Sequence, residues 1–381
     1  SDTELRLTTP VAGVSSDTEA RIQVERVDGF QGSTMPGAFT FVAPAITDAS
    51  TTNIEAENVG TLDLTGSGFA PDGDPVILRF TLASPPAGGP ATFESSGLIL
   101  DGSTIEADTP EVLGLASKSE ATLEVEFPSG AVVPFSGGAF TFEPDPDGVD
   151  DAFDVIGNVK LVIEVDDPAT EGLLANDSDA DAGDTLEVSE VDTTSTSGDV
   201  TFESDGGFTY DPAPGFTGTD TFTYTVTDGV ASAVATVTLT VHGRRWFIEE
   251  AAAVGGDGRL SSPFKTLTEF NDAQALTGDA APAAGDLVFV FEGDSASYEG
   301  GIVLLDDMTL IGEGEGLTVR NPPGPTGTDV EVVTPGEPPN LGHDTGGAAI
   351  TLAEDNTIRG INIDNQDGVG LFGRDVGTLV I

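Results

Sequence analysis

Gly138-Ala139-Phe140-Thr141-Phe142 repeats Gly37-Ala38-Phe39-Thr40-Phe41 at an offset of 101 residues. An alternating run precedes each copy: Ala20-Arg21-Ile22-Gln23-Val24-Glu25 and Ala121-Thr122-Leu123-Glu124-Val125-Glu126. A period of two is that of a strand with one face in a core and one in water. Thr9-Pro10 is likewise answered by Thr109-Pro110. Two copies of one β-domain are therefore expected in tandem. Residue 1 falls in the middle of the first copy, so the chain is expected to be a piece of a longer array of modules, incomplete at both ends.

Working outward, residues 44–144 hold one full copy. Thr61-Leu62-Asp63-Leu64-Thr65-Gly66-Ser67-Gly68-Phe69 reads as a strand entering a glycine turn, and Val76-Ile77-Leu78-Arg79-Phe80 as the next strand. Thr104-Ile105-Glu106-Ala107 and Thr109-Pro110 precede the last hairpin. Short alternating runs between Gly, Pro, Asp and Ser clusters are the pattern of a β-sandwich. Pro44-Ala45-Ile46, the turn Leu64 to Phe69, the Thr-Pro pair and the closing Phe-Thr-Phe resemble the IPT/TIG immunoglobulin-like family. That resemblance covers 44–144 and, as a C-terminal half, 1–43. Its members occur in secreted, surface and some DNA-binding proteins.

Composition narrows those settings. The chain has 381 residues, room for three or four domains, and 38% of them are hydrophobic, enough to fill several small cores. Cysteine is absent, which excludes thiol catalysis, disulfides and cysteine-bound zinc. Acids number 66 against 13 Lys plus Arg, a formal net charge of −53. Such a surface repels nucleic acid and anionic membranes. It attracts cations, above all calcium, which takes carboxylate and carbonyl oxygens. Solubility in a salty medium is the competing explanation of the same charge. No signal peptide and no apolar run of membrane-spanning length is present, so no membrane insertion is expected of this segment.

Five of the ten residues 145–154 are aspartate, which reads as an acidic linker. Beyond it, Asp150-Asp151-Ala152-Phe153 leads to Gly172-Leu173-Leu174-Ala175-Asn176-Asp177-Ser178-Asp179-Ala180-Asp181 and Gly183-Asp184-Thr185-Leu186. The module closes with Phe208-Thr209-Tyr210-Asp211-Pro212 and with Gly215 through Gly229. In that last stretch Phe222, Tyr224 and Val226 alternate with threonines. Order and spacing closely resemble the bacterial cadherin-like repeats of very large surface and adhesion proteins.

After Val241 the grammar changes. Ser262-Pro263 is expected to open an amphipathic helix, with Ser as N-cap and Phe264, Leu267, Phe270 and Ala273 along one side. Short strands follow at Leu287–Phe291, Gly301–Leu305, Met308–Ile311, Ala348–Leu352, Asn356–Ile363 and Gly377–Ile381. Tight Gly and Asn corners between them point to a right-handed parallel β-helix, with the helix capping its open end. Gly255 to Leu267 resembles the start of pectin-lyase-like β-helices in bacterial surface proteins. Residues 318–347, rich in Pro and Gly, are expected to form a loop, and Gly312 to Gly316 a corner. The expected fold is thus all-β: immunoglobulin-like sandwiches in tandem, then a parallel β-helix. The expected domains are 1–43, 44–145, 146–242 and 243–381.

The candidate metal ligands are Asp150, Asp151, Asn176, Asp177, Asp179, Asp181 and Asp184, with Ca2+ as the ion. The spacing is not that of a helix–loop–helix calcium loop, and a solvated acidic loop is the alternative. Asp220 and Asp228 read first as turn residues. A β-helix also raises polysaccharide cleavage, which needs a base or a close carboxylate pair. Arg320, Arg359, Arg374, His343, Asp306, Asp307 and Asp364 show no diagnostic spacing, so no catalysis is expected. His242 and His343 lack metal-ligand spacing, and Trp246 and Phe247 are expected at a module junction. The expected whole is a secreted or cell-surface bacterial segment, a stalk, fibre or array that contacts neighbouring modules, subunits or glycans. A carbohydrate-active enzyme or a phage fibre is the alternative.

Overall fold

Ser119–Glu126 shows how sequence becomes sheet here. Ser119, Ala121, Leu123 and Val125 are buried, while Glu120, Thr122 and Glu124 are exposed. Repeated on strand after strand, this alternation builds a nine-stranded sheet. Ala45–Ala49, Thr61–Ser67, Thr104–Asp108, Thr92–Ile99, Pro75–Leu82, Ser119–Glu126, Phe140–Glu143 and Asn53–Glu55 lie side by side in that order, with Val132–Pro134 paired to Ser119–Glu126. All pairings are antiparallel except the last, between Phe140–Glu143 and Asn53–Glu55. The sheet closes around one core. The computed structural model describes residues 18–20, 39–41, 43–69, 73–166, 172–181, 183–293, 298–321, 328–343, 346–364, 368–373 and 377–378.

Phe80 explains the Phe-Thr-Phe motif. Its ring meets those of Phe140 and Phe142 edge-on, each at 5.4 Å between centroids, and all three are fully buried. Each such ring contributes roughly 1.5–3 kcal/mol over its exposed state. Thr109 of the Thr-Pro pair is buried, and its Oγ1 accepts the Gly60 N–H at 2.7 Å. Gly66 has no room for a Cβ, which would collide with the carbonyl of Ala45. In the first copy, Ala20 pairs with Phe39 and Thr18 with Phe41. In the second, Ala121 pairs with Phe140 and Ser119 with Phe142, the same register 101 residues later. The rest of the first copy lies outside the described residues.

The chain forms two compact units. One comprises Ser1–Asp147, Ser178–Leu186 and Thr227–Ala233. The other comprises Gly148–Asp177, Glu187–Val226 and Val234–Ile381. The sheet Asp151–Ile156, Ser232–His242, Gly218–Thr227, Glu187–Asp192 and the sheet Leu161–Ile163, Phe208–Asp211, Asp199–Phe202 hold the buried Phe208, Tyr210, Phe222, Tyr224 and Leu239.

Residues 245–372 add parallel stacks. Arg245–Ile248, Leu287–Val290, Thr309–Gly312 and Thr357–Arg359 pair in parallel succession. Ile302–Val303, Ala348–Thr351 and Val369–Phe372 form a second parallel stack, and Asn340–Leu341 with Asn362–Ile363 a third. Trp246, Phe270, Val288, Leu310 and Ile350 lie in the core they share. The final run 377–381 is only partly described.

Two local expectations need correction. The helix spans Leu267–Ala273 and is capped by Thr266, whose side chain accepts the Glu269 N–H, not by Ser262. Ser262 instead closes a turn with Asp257, Gly258 and Arg259. Residues 318–347 are not a loop throughout: Leu317–Asn321 and Thr328–Val333 form an antiparallel hairpin. Its Leu317 and Val319 cover Phe247 and Phe289 on the outer face of the first parallel stack and also meet Ile156. Parallel strands are apolar on both faces, so that outer face requires a cover.

Candidate functional site

The acidic run 176–184 is divided between the two compact units. Asp179, Asp181 and Asp184 belong to the first unit, Asn176 and Asp177 to the second.

In the first unit the strand Phe140–Glu143 delivers Glu143 to a buried position beside Phe142. Just past it, Asp147 and Ser178 exchange backbone hydrogen bonds at 2.8 and 3.1 Å, laying the acidic loop along the strand exit. Asp179 Oδ1 accepts the Asp181 N–H at 2.7 Å, and both Asp181 oxygens accept the Lys118 N–H at 2.9 and 3.0 Å. Asp228 sits at a hairpin tip, where Oδ1 accepts the N–H groups of Val230 and Ala231 at 2.7 and 2.8 Å. The carboxylates of Glu143, Asp184 and Asp228 bring oxygens within 4.8 Å of one another, as do those of Asp179, Asp181 and Asp184. The Lys118 ammonium contacts Glu143 Oε1 and lies 2.8 Å from Asp184 Oδ2. Asp145 Oδ1, Asp179 Oδ2 and Asp228 Oδ2 are buried and, among the described residues, have no hydrogen-bond partner.

The electrostatics follow from this crowding. Burial pushes the Asp145 carboxyl up to about 6, with Glu57, Glu55 and Asp228 adding repulsion. Burial also raises Glu143, against the pull of Lys118, and raises Asp179, against its bond from Asp181. Lys118 is held above its ordinary value, first by Asp184 and then by Glu143. Lys118 offsets only part of this crowding, and the carboxylate repulsion that remains is a cost that a further cation would remove.

In the second unit Asp151, Asn176 and Asp177 gather on Tyr224. Its hydroxyl lies 2.9 Å from Leu173 O, 2.9 Å from Asp177 Oδ2, 3.1 Å from Asp151 Oδ2 and 3.4 Å from Val149 O. Asp177 Oδ1 accepts the Val149 N–H, and Asn176 Nδ2 donates to the carbonyls of Val149 and Asp150. Asp150 points elsewhere: its Oδ1 accepts the Thr236 N–H at 2.8 Å. Burial raises Asp151 to about 6, partly opposed by Tyr224.

Of the seven candidates, Asp179, Asp181 and Asp184 share the cluster of the first unit, Asp151, Asn176 and Asp177 lie around Tyr224 in the second, and Asp150 belongs to neither. The fold also recruits Lys118, Glu143, Asp145 and Tyr224, which were not weighed. Alternation from Phe140 and Phe142 places Glu143 on the outward face with Thr141, so the sequence carried no signal for its burial. Asp228 does sit in a turn, and it also joins the cluster. Asp220 is not a turn residue: it is buried in Gly218–Thr227 and accepts Ser197 N–H, Gly198 N–H and the Tyr210 hydroxyl. His242 bonds Asp154 at 2.8 Å. Trp246 is fully buried and donates to Asp286 Oδ2 at 2.8 Å.

Of the residues weighed for catalysis, Arg374 and the Arg320 side chain lie outside the described residues. Arg359 lines a shallow hollow of about 360 Å³ with Glu315, Ile358, Gly360 and Ile361. No helix among the described residues is long and apolar enough to cross a membrane.

No curated protein sequence matches the chain. Among solved structures, an endo-fucoidan hydrolase from glycoside hydrolase family 107 is similar at 17% identity, with 50% of this chain and 32% of that chain covered and a TM-score of 0.20. An I-band fragment of titin is similar at 11% identity, with 56% and 74% covered and a TM-score of 0.21. Extracellular domains of Drosophila OTK are similar at 9% identity, with 52% and 66% covered and a TM-score of 0.17. The chain spans about a third of the length of the hydrolase it matches. Likeness at these scores carries no argument about activity. Residues 144–243 match the family model of the bacterial cadherin-like domain.

Proposed function

We propose that this chain is a structural and adhesive segment of a secreted or cell-surface bacterial protein. Its work is spacing, display and contact with neighbouring modules or subunits, and with glycans. Residues 1–43 are assigned as part of an IPT/TIG-like domain, 44–145 as an IPT/TIG-like sandwich, 146–242 as the cadherin-like module and 243–381 as right-handed parallel β-helix. The cadherin-like match and the parallel registers support this reading.

The observation that carries it is the acidic cluster of the first unit. Asp179 Oδ2 and Asp228 Oδ2 are buried there without a donor among the described residues, and every ligand offered is oxygen. That donor set fits Ca2+. Bound calcium supplies a common counter-charge. Glu143, Asp179, Asp181, Asp184 and Asp228 would hold it, pinning Ser178–Leu186 and Thr227–Ala233 to the sandwich body. Asp151, Asn176 and Asp177 are assigned to the hub on Tyr224, and Asp150 to its own bond with Thr236.

The test is a melting curve of the full chain with calcium and with a chelator, repeated on Asp179→Ala plus Asp181→Ala. Calcium at a hundred times its dissociation constant should stabilise the native chain by about 2.7 kcal/mol. The double variant should lose most of that gain. Identical melting temperatures in all four cases would leave the cluster as solvated surface.

The hollow beside Arg359 and Glu315 is the observation that favours a second reading, a carbohydrate-active enzyme. We propose that catalysis is absent. Incubation with pectin or alginate should release no unsaturated ends. Turnover abolished by Arg359→Ala would overturn that view.

A further inference from the structure

Lys118 is the basic side chain that, among the described residues, touches the acidic cluster. Its ammonium contacts Glu143 and Asp184, two of the three carboxylates that converge within 4.8 Å. The third, Asp228, keeps a buried oxygen without a partner among the described residues. A calcium ion bound by these three would sit about 2.3–2.6 Å from each oxygen. That is the space the ammonium already fills, so the two cations exclude each other there.

The lysine is held in place by more than its charge. Its backbone N–H donates to both oxygens of Asp181, and the next residue, Ser119, is buried at the start of its strand. The same residue therefore grips the acidic loop through its backbone and the triad through its side chain. Lysine is scarce, three in a chain with 66 acids, so abundance does not explain one at this position.

We infer that Lys118 is a tethered counter-cation: it neutralises the Glu143–Asp184–Asp228 triad when no divalent ion is present and must withdraw for calcium to enter. The calcium threshold of the site is then set by competition with the protein's own ammonium. This inference rests on the calcium reading above. Its consequence runs in opposite directions for the two states. Removing the ammonium weakens the metal-free protein, because the triad is left to repel itself. The same change strengthens calcium binding, because a like charge leaves the site.

The experiment uses the full chain as wild type, Lys118→Met and Lys118→Arg. Calcium affinity is measured by calorimetry, and melting temperature in chelator and in saturating calcium. Lys118→Met should tighten calcium roughly ten-fold or more, a like charge at contact distance being worth at least that. It should melt below wild type in chelator, and the gap should close or reverse in calcium. Lys118→Arg keeps the charge and should not tighten calcium. A lysine that merely tied two segments together would lower stability equally in both conditions. A further reading needs no variant: acylation of Lys118 in the wild type, followed by peptide mass spectrometry, should rise when calcium is added. Unchanged labelling, or calcium bound equally or more weakly by Lys118→Met, overturns the inference and leaves the calcium site standing. Absence of calcium binding in all three proteins overturns the calcium reading itself, and this inference with it.

Discussion

Tyr224→Phe removes a single hydroxyl, and the structure says what that costs. The hydroxyl has one hydrogen and four oxygens within 3.4 Å: Leu173 O, Asp177 Oδ2, Asp151 Oδ2 and Val149 O. The ring is buried and keeps its packing in the variant. What is lost is one hydrogen bond to a charged, part-buried acceptor, about 1.5–3 kcal/mol. We expect a total of about 2–3 kcal/mol at pH 7.5. For a cooperative unit of this size that is a fall of about 4–12 °C in melting temperature. The loss should shrink at pH 5. Asp151 already sits at about 6 through burial, and Tyr224, ahead of Asn176, is the stronger influence that holds it down. Without the hydroxyl its pKa climbs further, so at pH 5 Asp151 is protonated and becomes a donor itself. Melting and urea unfolding in chelator, at both pH values, measure this. A fall below about 1 °C at both, or the same fall at both, would refute the claim that the hydroxyl is the limiting donor.

Three further outcomes are expected. In chelator the protein should melt higher at pH 5 than at pH 7.5: Asp145 and Asp151 stand near 6 in the fold against 3.8 ordinarily, so the folded form holds more protons, and stability falls as pH rises through 6. Saturating calcium, which binds the carboxylates as anions, should reverse that order, as melts at the two pH values will show. Gly215→Ala should destabilise by about 2 kcal/mol or more, since Gly215 has φ 69° and its Cβ would run into the Asp279 carbonyl; urea unfolding checks it. Asp220→Asn should cost about 2 kcal/mol by the same assay, because one oxygen of Asp220 that accepts Gly198 N–H and the Tyr210 hydroxyl is exchanged for a donor in one amide orientation, and its charge is lost in the other.

The β class was legible because alternation is local. In Ser119–Glu126 each side chain's direction follows from its position alone, so the buried and exposed faces were readable before any partner was known. The Phe-Thr-Phe repeat was legible for the same reason, and the pairing of Ala20 with Phe39 recurs in that of Ala121 with Phe140. Helix capping failed by four residues because Ser262-Pro263 and Thr266 are both competent starts, and the turn with Asp257 claims Ser262. The hairpin under 318–347 was not legible, since its reason for existing is an apolar sheet face made by residues far away. The candidate site shows the same division. Composition and the run 176–184 announced acids that want a cation. Which oxygens converge depends on Glu143, Lys118 and Asp228 arriving from other strands and turns. A carboxylate is recognised by what lies within a few ångströms of it. Chain spacing does not determine that distance once two segments meet only through the fold.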